Sequence, residues 1–355
     1  MFKKSLLAAS LTTALLATQA QAFEFDKPIQ VPVTVTKSGQ GLTADKSQKE
    51  VTIMRVILSQ TEKDALAHRN ISSEDETFAA SSTLPRQVNL GMNDVPVLDQ
   101  GRHGSCVTFA VSGAVDAVLG KGDYVSQLCN LELGSFLDKY GYTYSGWEGS
   151  YGPVVLEQMM RFGIVSKKTQ RTKSCANVTK YPLNNGNNIG NKMSLTEFKP
   201  LSENLNKEFY WTHLYSNDQL FDWPTADKNE MKKVLMEVKK NLANGNRLTF
   251  GTFLIIPSNC HAGACATHNK PGDTWALTKG LDNPPYEVGG HEMVIFGYDD
   301  NAVAYEPTSS IPHKGLLFLR NSWGNDVGDN GNYYMTYDFF MKYANEVQAI
   351  VKIKK

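Results

Sequence analysis

The chain has 355 residues, with 36 lysines and arginines against 36 aspartates and glutamates, and 41% of it is hydrophobic. That balance supplies no basic field for nucleic acid or an anionic membrane surface. The hydrophobic content is that of an ordinary globular protein, so composition removes classes of function without selecting one.

In chain order, the first residues read as an export signal. Lys3 and Lys4 precede an apolar stretch from Leu6 to Ala17, and Ala20-Gln21-Ala22 forms a small-x-small cleavage pattern. The stretch is too short for a membrane anchor, which needs about 20 apolar residues, and no later stretch qualifies. Residues 1–22 are therefore expected to be a signal peptide of bacterial type, removed after Ala22, with a periplasmic or extracellular destination. Roughly 330 residues remain, enough for one large domain or two modest ones.

From Phe23 to about Ser82 the sequence is polar and weakly patterned, with one strand-like run from Val51 to Leu58. Ser59-Gln60-Thr61-Glu62 has capping-box spacing and predicts a short helix through Arg69. The Ser/Glu/Asp/Ala-rich run from Ser72 to Thr83 reads as an exposed, cleavable linker. Residues 23–83 thus form a separate N-terminal segment, and residues 84–355 the main domain. Within that domain Ser105 precedes a helical run with Val107, Val111, Ala114 and Val118 on one stripe. A second helix fits Pro153 to Phe162, with proline acceptable in its first turn. Lys180 to Thr225 is Asn-rich and reads as long loops, a surface insertion. An amphipathic helix carries Met231, Val234, Leu235, Val238 and Leu242, stops at Gly245, and a strand begins near Leu248. Glu292–Tyr298, Gly315–Arg320 and Asn332–Tyr337 read as strands. Helices early and strands late predict an α+β chain rather than an alternating parallel-sheet fold.

Three segments concentrate chemistry: Gln100-Gly101-Arg102-His103-Gly104-Ser105-Cys106, Gly289-Gly290-His291-Glu292-Met293-Val294, and Asn321-Ser322-Trp323-Gly324. Singly, each has a plain structural reading: a packed thiol, a core histidine, an Asn turn. Together they share a logic. Cys106 opens a helix, where unpaired N–H groups and the dipole favour a thiolate, and a neighbouring imidazolium would favour it further. His291 can be that imidazole, Asn321 can fix its tautomer with an amide oxygen, and Trp323 can shield the bond. Gln100 can aim its amide at a developing oxyanion beside the Cys106 N–H.

At these residues the chain resembles the papain-like cysteine peptidases, the family of papain and the cathepsins. The resemblance starts at Leu84-Pro85-Arg86-Gln87-Val88-Asn89-Leu90, similar to the start of mature enzymes in the family, and runs to Ile353, which makes residues 23–83 propeptide-like in position. It takes in Gly297-Tyr298 and Gly146-Trp147-Glu148-Gly149-Ser150-Tyr151, the latter where the family has the glycine pair that binds substrate backbone. It implies a papain-like α+β fold, with a helical subdomain and an antiparallel β-rich one around a cleft. Cys106, His291, Asn321 and Gln100 are then catalytic, and Gly149, Ser150, Gly290 and Trp323 line the substrate. It also implies a peptide or protein substrate and acyl transfer through an acyl-enzyme, with no metal or organic cofactor. The chain is expected to act as a monomer. A transpeptidase of the same fold, or an inactive relative that binds peptides or host proteins, are the alternatives.

The chain departs from the pattern in several places. His103 stands where the family usually has Cys, Val107 where it has an aromatic, and Gly290 where many members have Asp or Asn. The Cys106–His291 spacing exceeds the family's roughly 130–150 residues. Of the five cysteines, Cys106 is expected to be free. Cys260 and Cys265, with His261 and His268 nearby, could bind zinc, but a disulfide is simpler in an exported protein, leaving Cys129 to pair with Cys175. His103 is the rival base, poorly placed in the turn before the helix. Two sequons, at Asn70 and Asn177, read as chance matches.

Overall fold

The computed structural model describes residues 23–35, 48–69, 71, 83–184, 192–216, 226–257, 260–278, 281, 287–307 and 311–354. The stretch expected to be an export signal and most of the Ser72–Thr83 linker lie outside the described residues.

The chain opens with a hairpin that the sequence only half reveals. β1 (Phe23–Thr34) runs antiparallel to β2 (Gln48–Leu58), in pairs from Phe23↔Leu58 to Thr34↔Gln48. Two prolines and intervening polar residues conceal β1, yet it is an edge strand, where proline's missing N–H costs no ladder bond. Its alternate residues Ile29, Val31 and Val33 are buried. α1 (Gln60–His68) follows, with the Ser59 hydroxyl accepting from the Glu62 N–H at 3.1 Å. Arg69 ends this segment fully buried. Its guanidinium donates to Ala226 O at 2.9 Å, to Lys342 O at 2.8 Å and to the Tyr215 hydroxyl.

After β3 (Gln87–Asn89) comes the helical part: α2 (Cys106–Leu119), α3 (Gln127–Lys139), α4 (Gly152–Phe162) and α5 (Lys167–Lys173). Every residue of α2 is buried, so it is a central helix rather than the one-striped helix its spacing predicts. Its one charged side chain, Asp116, accepts from the Tyr124 and Val125 N–H groups at 2.9 and 3.1 Å. The stretch expected to be all loop contains α6 (Leu195–Phe198) and β4 (Phe209–Ser216), with Phe198 and Phe209 in the core. Two buried aromatics and an added edge strand make this part of the body, not a surface insertion. Residues 185–191 and 217–225 lie outside the described residues.

α7 (Lys228–Ala243) is the predicted amphipathic helix, started by a capping box between Asp227 and Glu230. Then come β5 (Arg247–Ile256), β6 (Thr274–Trp275), β7 (Glu287–Tyr305), β8 (Pro312–Arg320), β9 (Asn332–Thr336), α8 (Tyr337–Tyr343) and β10 (Ala344–Lys352). The sheet order is β4-β10-β5-β7-β8-β9-β6, antiparallel except for β6 with β9. β7 also receives β3 at Gly297–Asp299 and β2 at Gly289–Gly290. The architecture is α+β, a helical part against an antiparallel sheet.

One apolar cluster joins the hairpin, α7, α8 and the sheet; a second lies between α2 and the sheet; a third fills the helical part. Cys129–Cys175 ties α3 to the loop after α5, Cys260–Cys265 closes a short loop, and Cys106 is free. The N-terminal segment therefore contributes core to the whole protein. Arg69→Ala strands several buried acceptors and is expected to cost about 3 kcal/mol, read as a lowered denaturant midpoint; an unchanged midpoint would refute the anchoring role.

Candidate active site

Two elements from opposite sides meet here. α2 brings Cys106 at its first position, and β7 brings Gly290, His291 and Glu292. Cys106, His291, Gly149, Ser150 and Gly290 line one pocket, with Val107 as part of its wall. Behind it, His291 Nε2 lies 2.8 Å from Asn321 Oδ1, which also accepts from the Ser322 N–H at 2.7 Å. An oxygen that accepts twice assigns the proton to Nε2, leaving Nδ1 as the basic nitrogen. Nδ1 has no hydrogen-bond partner among the described residues. Trp323, fully buried, stacks on the imidazole at 4.6 Å between centroids and 28° between planes.

Gln100 is fully buried beside this pair. Its Nε2 donates to His103 O at 2.8 Å and reaches Thr52 O at 3.4 Å, and its Oε1 accepts from the Ser322 hydroxyl at 2.7 Å. The amide is thus locked in orientation, and one of its two acceptors belongs to the N-terminal hairpin. His103 packs edge-on against Trp147 and Tyr181, with its Nε2 on Pro182 O, and burial lowers its pKa. It does not line the pocket with Cys106.

The hairpin lies directly over the pocket. β2 pairs with β7 through Met54↔Gly290 and Arg55↔Gly289, one residue from His291. Phe25 and Met54, from the hairpin, are among the residues that line the pocket. Glycines make this approach possible. A Cβ on Gly289 would lie 2.4 Å from Ile53 Cγ2, and one on Gly104 would lie 2.5 Å from Met54 Sδ. The two glycines ahead of His291 serve a close backbone contact that the sequence did not disclose. Lys49 pins the strand further, donating to Asp99 at 2.6 Å and to Trp323 O at 2.8 Å, and Glu50 pairs with Arg102 at 2.7 Å.

Under this cover Cys106 is 5% exposed and His291 3%. Burial pushes the Cys106 thiol up to about 12 against the lowering effect of a hydrogen bond with the Glu292 backbone, and pushes His291 down to about 4 against the raising effect of Asn321. The pair rests as thiol and neutral imidazole, not as the ion pair expected from the helix dipole. Desolvation of both charged forms outweighs the dipole while the pocket is closed. Glu292 and Glu346 also line the pocket, and neither stood out in the sequence. Glu292 is visible only as an acid inside an apolar strand run, and Glu346 lies in a C-terminal stretch without clear alternation.

Cys260 and Cys265 are bonded to each other, and His268 Nδ1 sits 2.7 Å from Val303 O, so these groups are engaged elsewhere than on a metal. No helix among the described residues is long and apolar enough to cross a membrane.

No protein-family model and no curated protein sequence matches the chain. Among solved structures it is similar to xylellain, a cysteine protease from Xylella fastidiosa, at 18% identity and TM-score 0.49, over 83% of this chain and 91% of that one. The cysteine protease and lectin-like domains of Cwp84, a surface layer associated protein of Clostridium difficile, align at 16% identity and TM-score 0.49, over 78% and 54%. The Amb a 11 cysteine protease, a ragweed pollen allergen, aligns in its proform at 14% and 0.45, over 83% and 75%. These neighbours are papain-like cysteine proteases.

The raised thiol pKa has a direct readout. Alkylation requires the thiolate, so iodoacetamide labelling of Cys106 in the intact chain should stay slower than that of a free cysteine at pH 8 and climb only as pH approaches 12. Fast labelling at pH 7 would show that the cover does not desolvate the thiol.

Proposed function

We propose that the chain is an exported cysteine peptidase whose N-terminal hairpin holds it latent. The observation that carries this is the pocket shared by the free Cys106 and His291. The imidazole is oriented by Asn321 and has its basic nitrogen unpaired, and β2 is laid across the pocket.

With the hairpin displaced, water re-enters and both charged forms recover. Nδ1 of His291 takes the Cys106 proton, and the resulting pair is a thiolate beside an imidazolium. The thiolate attacks the carbonyl carbon of a peptide bond. The oxygen that becomes negative is received by the Cys106 N–H and by Gln100 Nε2, once Thr52 O has left that amide. The imidazolium then gives its proton to the departing amine as the C–N bond breaks, leaving an acyl-thioester. Water attacks the thioester with His291 taking one of its protons, and the acid product leaves while the thiolate reforms. Asn321 keeps the ring in the required tautomer throughout, and Trp323 keeps competing water from that bond.

Latency rests on three supports: the Thr52 carbonyl occupies a donor that the oxyanion needs, Met54 and Phe25 fill the pocket, and burial suppresses the nucleophile. The linker from Ser72 to Thr83 is the site at which cutting would sever the segment's covalent tether and allow it to dissociate. An export signal and two disulfides agree with an oxidising destination.

Two sets of measurements test the proposal. On a fluorogenic peptide, Cys106→Ala and His291→Ala should each lower kcat by ~10⁴ or more, since they act as a unit, with Asn321→Ala retaining more activity. Full activity in Cys106→Ala would sink the peptidase reading. A chain with a specific protease site placed between Ser72 and Thr83 should gain activity when cut, and Met54→Asp should raise the activity of the uncut chain. Equal activity before and after cutting, with Met54→Asp unchanged, would make the hairpin purely structural.

A further inference from the structure

The pocket beside Cys106 has an acidic floor that the reaction above does not use. Glu292 follows His291 on β7 and is 2% exposed; Glu346 enters from β10 and is 5% exposed. Both line the pocket together with Gly251 and Asn345, and no lysine or arginine is among its lining residues. The Glu292 carboxyl is hydrogen-bonded to the side chains of Glu346 and Thr249, so the two acids face each other directly. Glu346 Oε1 accepts from the Gly152 N–H at 2.8 Å, at the start of α4, where the helix end favours a negative charge. Small residues make room for the pair. A Cβ on Gly152 would lie 3.0 Å from Glu292 Oε1, and one on Gly251 would lie 3.1 Å from Glu292 Oε2.

Two carboxylates buried in one pocket without a cation are costly unless a proton or a positive ligand compensates. In the closed form the compensation is a proton. Burial first, and then the Glu346 charge, hold the Glu292 carboxyl well above the usual range, with apolar Phe25 and Met54 as its cover. Removing that cover opens the pocket to a substrate side chain next to the reacting thiol.

We propose that this pocket selects a lysine or arginine side chain of the substrate, held by the carboxylates of Glu292 and Glu346. The inference rests on the peptidase reading and names its specificity. A guanidinium or ammonium replaces the proton, makes charge-assisted bonds to both acids, and leaves no buried carboxylate uncompensated. It also cancels the negative field that disfavours the Cys106 thiolate. Bound substrate and activated nucleophile are thereby coupled, and an apolar side chain gains neither effect.

A positional peptide library cleaved by the linker-cut chain gives the test. One position upstream of the scissile bond should favour arginine or lysine over leucine by at least tenfold in kcat/KM. Glu346→Gln should shrink the arginine-to-leucine ratio tenfold or more, and Glu292→Gln should do likewise. A ratio near one, or a ratio unmoved by both variants, overturns the inference. Binding separates this result from the fate of the peptidase reading. In the linker-cut Cys106→Ala chain, calorimetry with arginine and leucine versions of one peptide should show at least tenfold tighter binding of the arginine form, abolished by Glu346→Gln. Equal affinities overturn the inference whether or not the intact site hydrolyses peptides.

Discussion

The dry contact of β2 with the end of β7 is the constraint on which the rest of the site depends. Two backbone pairs, Met54↔Gly290 and Arg55↔Gly289, bring a second strand to within one residue of His291. The approach lays Phe25 and Met54 against the pocket and leaves Cys106 and His291 buried. Desolvation then sets the protonation of three groups together. It holds Cys106 as a thiol, His291 as a neutral imidazole and Glu292 as a protonated acid. Geometry and electrostatics thus respond to one structural variable, the presence of the hairpin.

Much of the frame was legible because it is governed by local rules. The Ser59 cap, the stripe of α7 with its stop at Gly245, and the apolar runs of β7, β8 and β9 carry helix or strand periodicity in plain view. Cys106, His291, Asn321 and Gln100 stood out because each pairs a reactive or orienting side chain with the glycine, serine or tryptophan context that positions it. What stayed hidden depends on distant partners. β1 is interrupted by Pro28 and Pro32, and only its edge position excuses them. β4 and the pairing of β2 with β7 come from residues far apart in sequence. The state of Cys106 was misread for the same reason: a helix N-terminus is visible in the sequence, whereas burial by a segment some fifty residues upstream is not.

The glycines show how one residue type served two readings. In the sequence, Gly290 reads as a residue that lines the substrate ahead of His291. In the fold Gly289 and Gly290 are flat ground, where Ile53, Val56 and Phe25 lie close to the positions their Cβ atoms would take. The same absence of side chains that lets the hairpin lie there would leave a smooth lane for a peptide in the open form proposed above.

Arg69 and the buried face of the hairpin carry a further consequence. Ile29, Val31, Val51 and Ile53 belong to the same apolar cluster as Trp275 and Phe340, and Arg69 binds carbonyls contributed by two other parts of the chain. Were the linker cut, a covalent tether would break without breaking this interface, and the two polypeptides would remain a complex. What had been an intramolecular contact with a high effective concentration would become an ordinary association, subject to dilution and to capture by competing peptides. The lag between such a cut and the appearance of free sites would then be set by the dissociation rate of the segment.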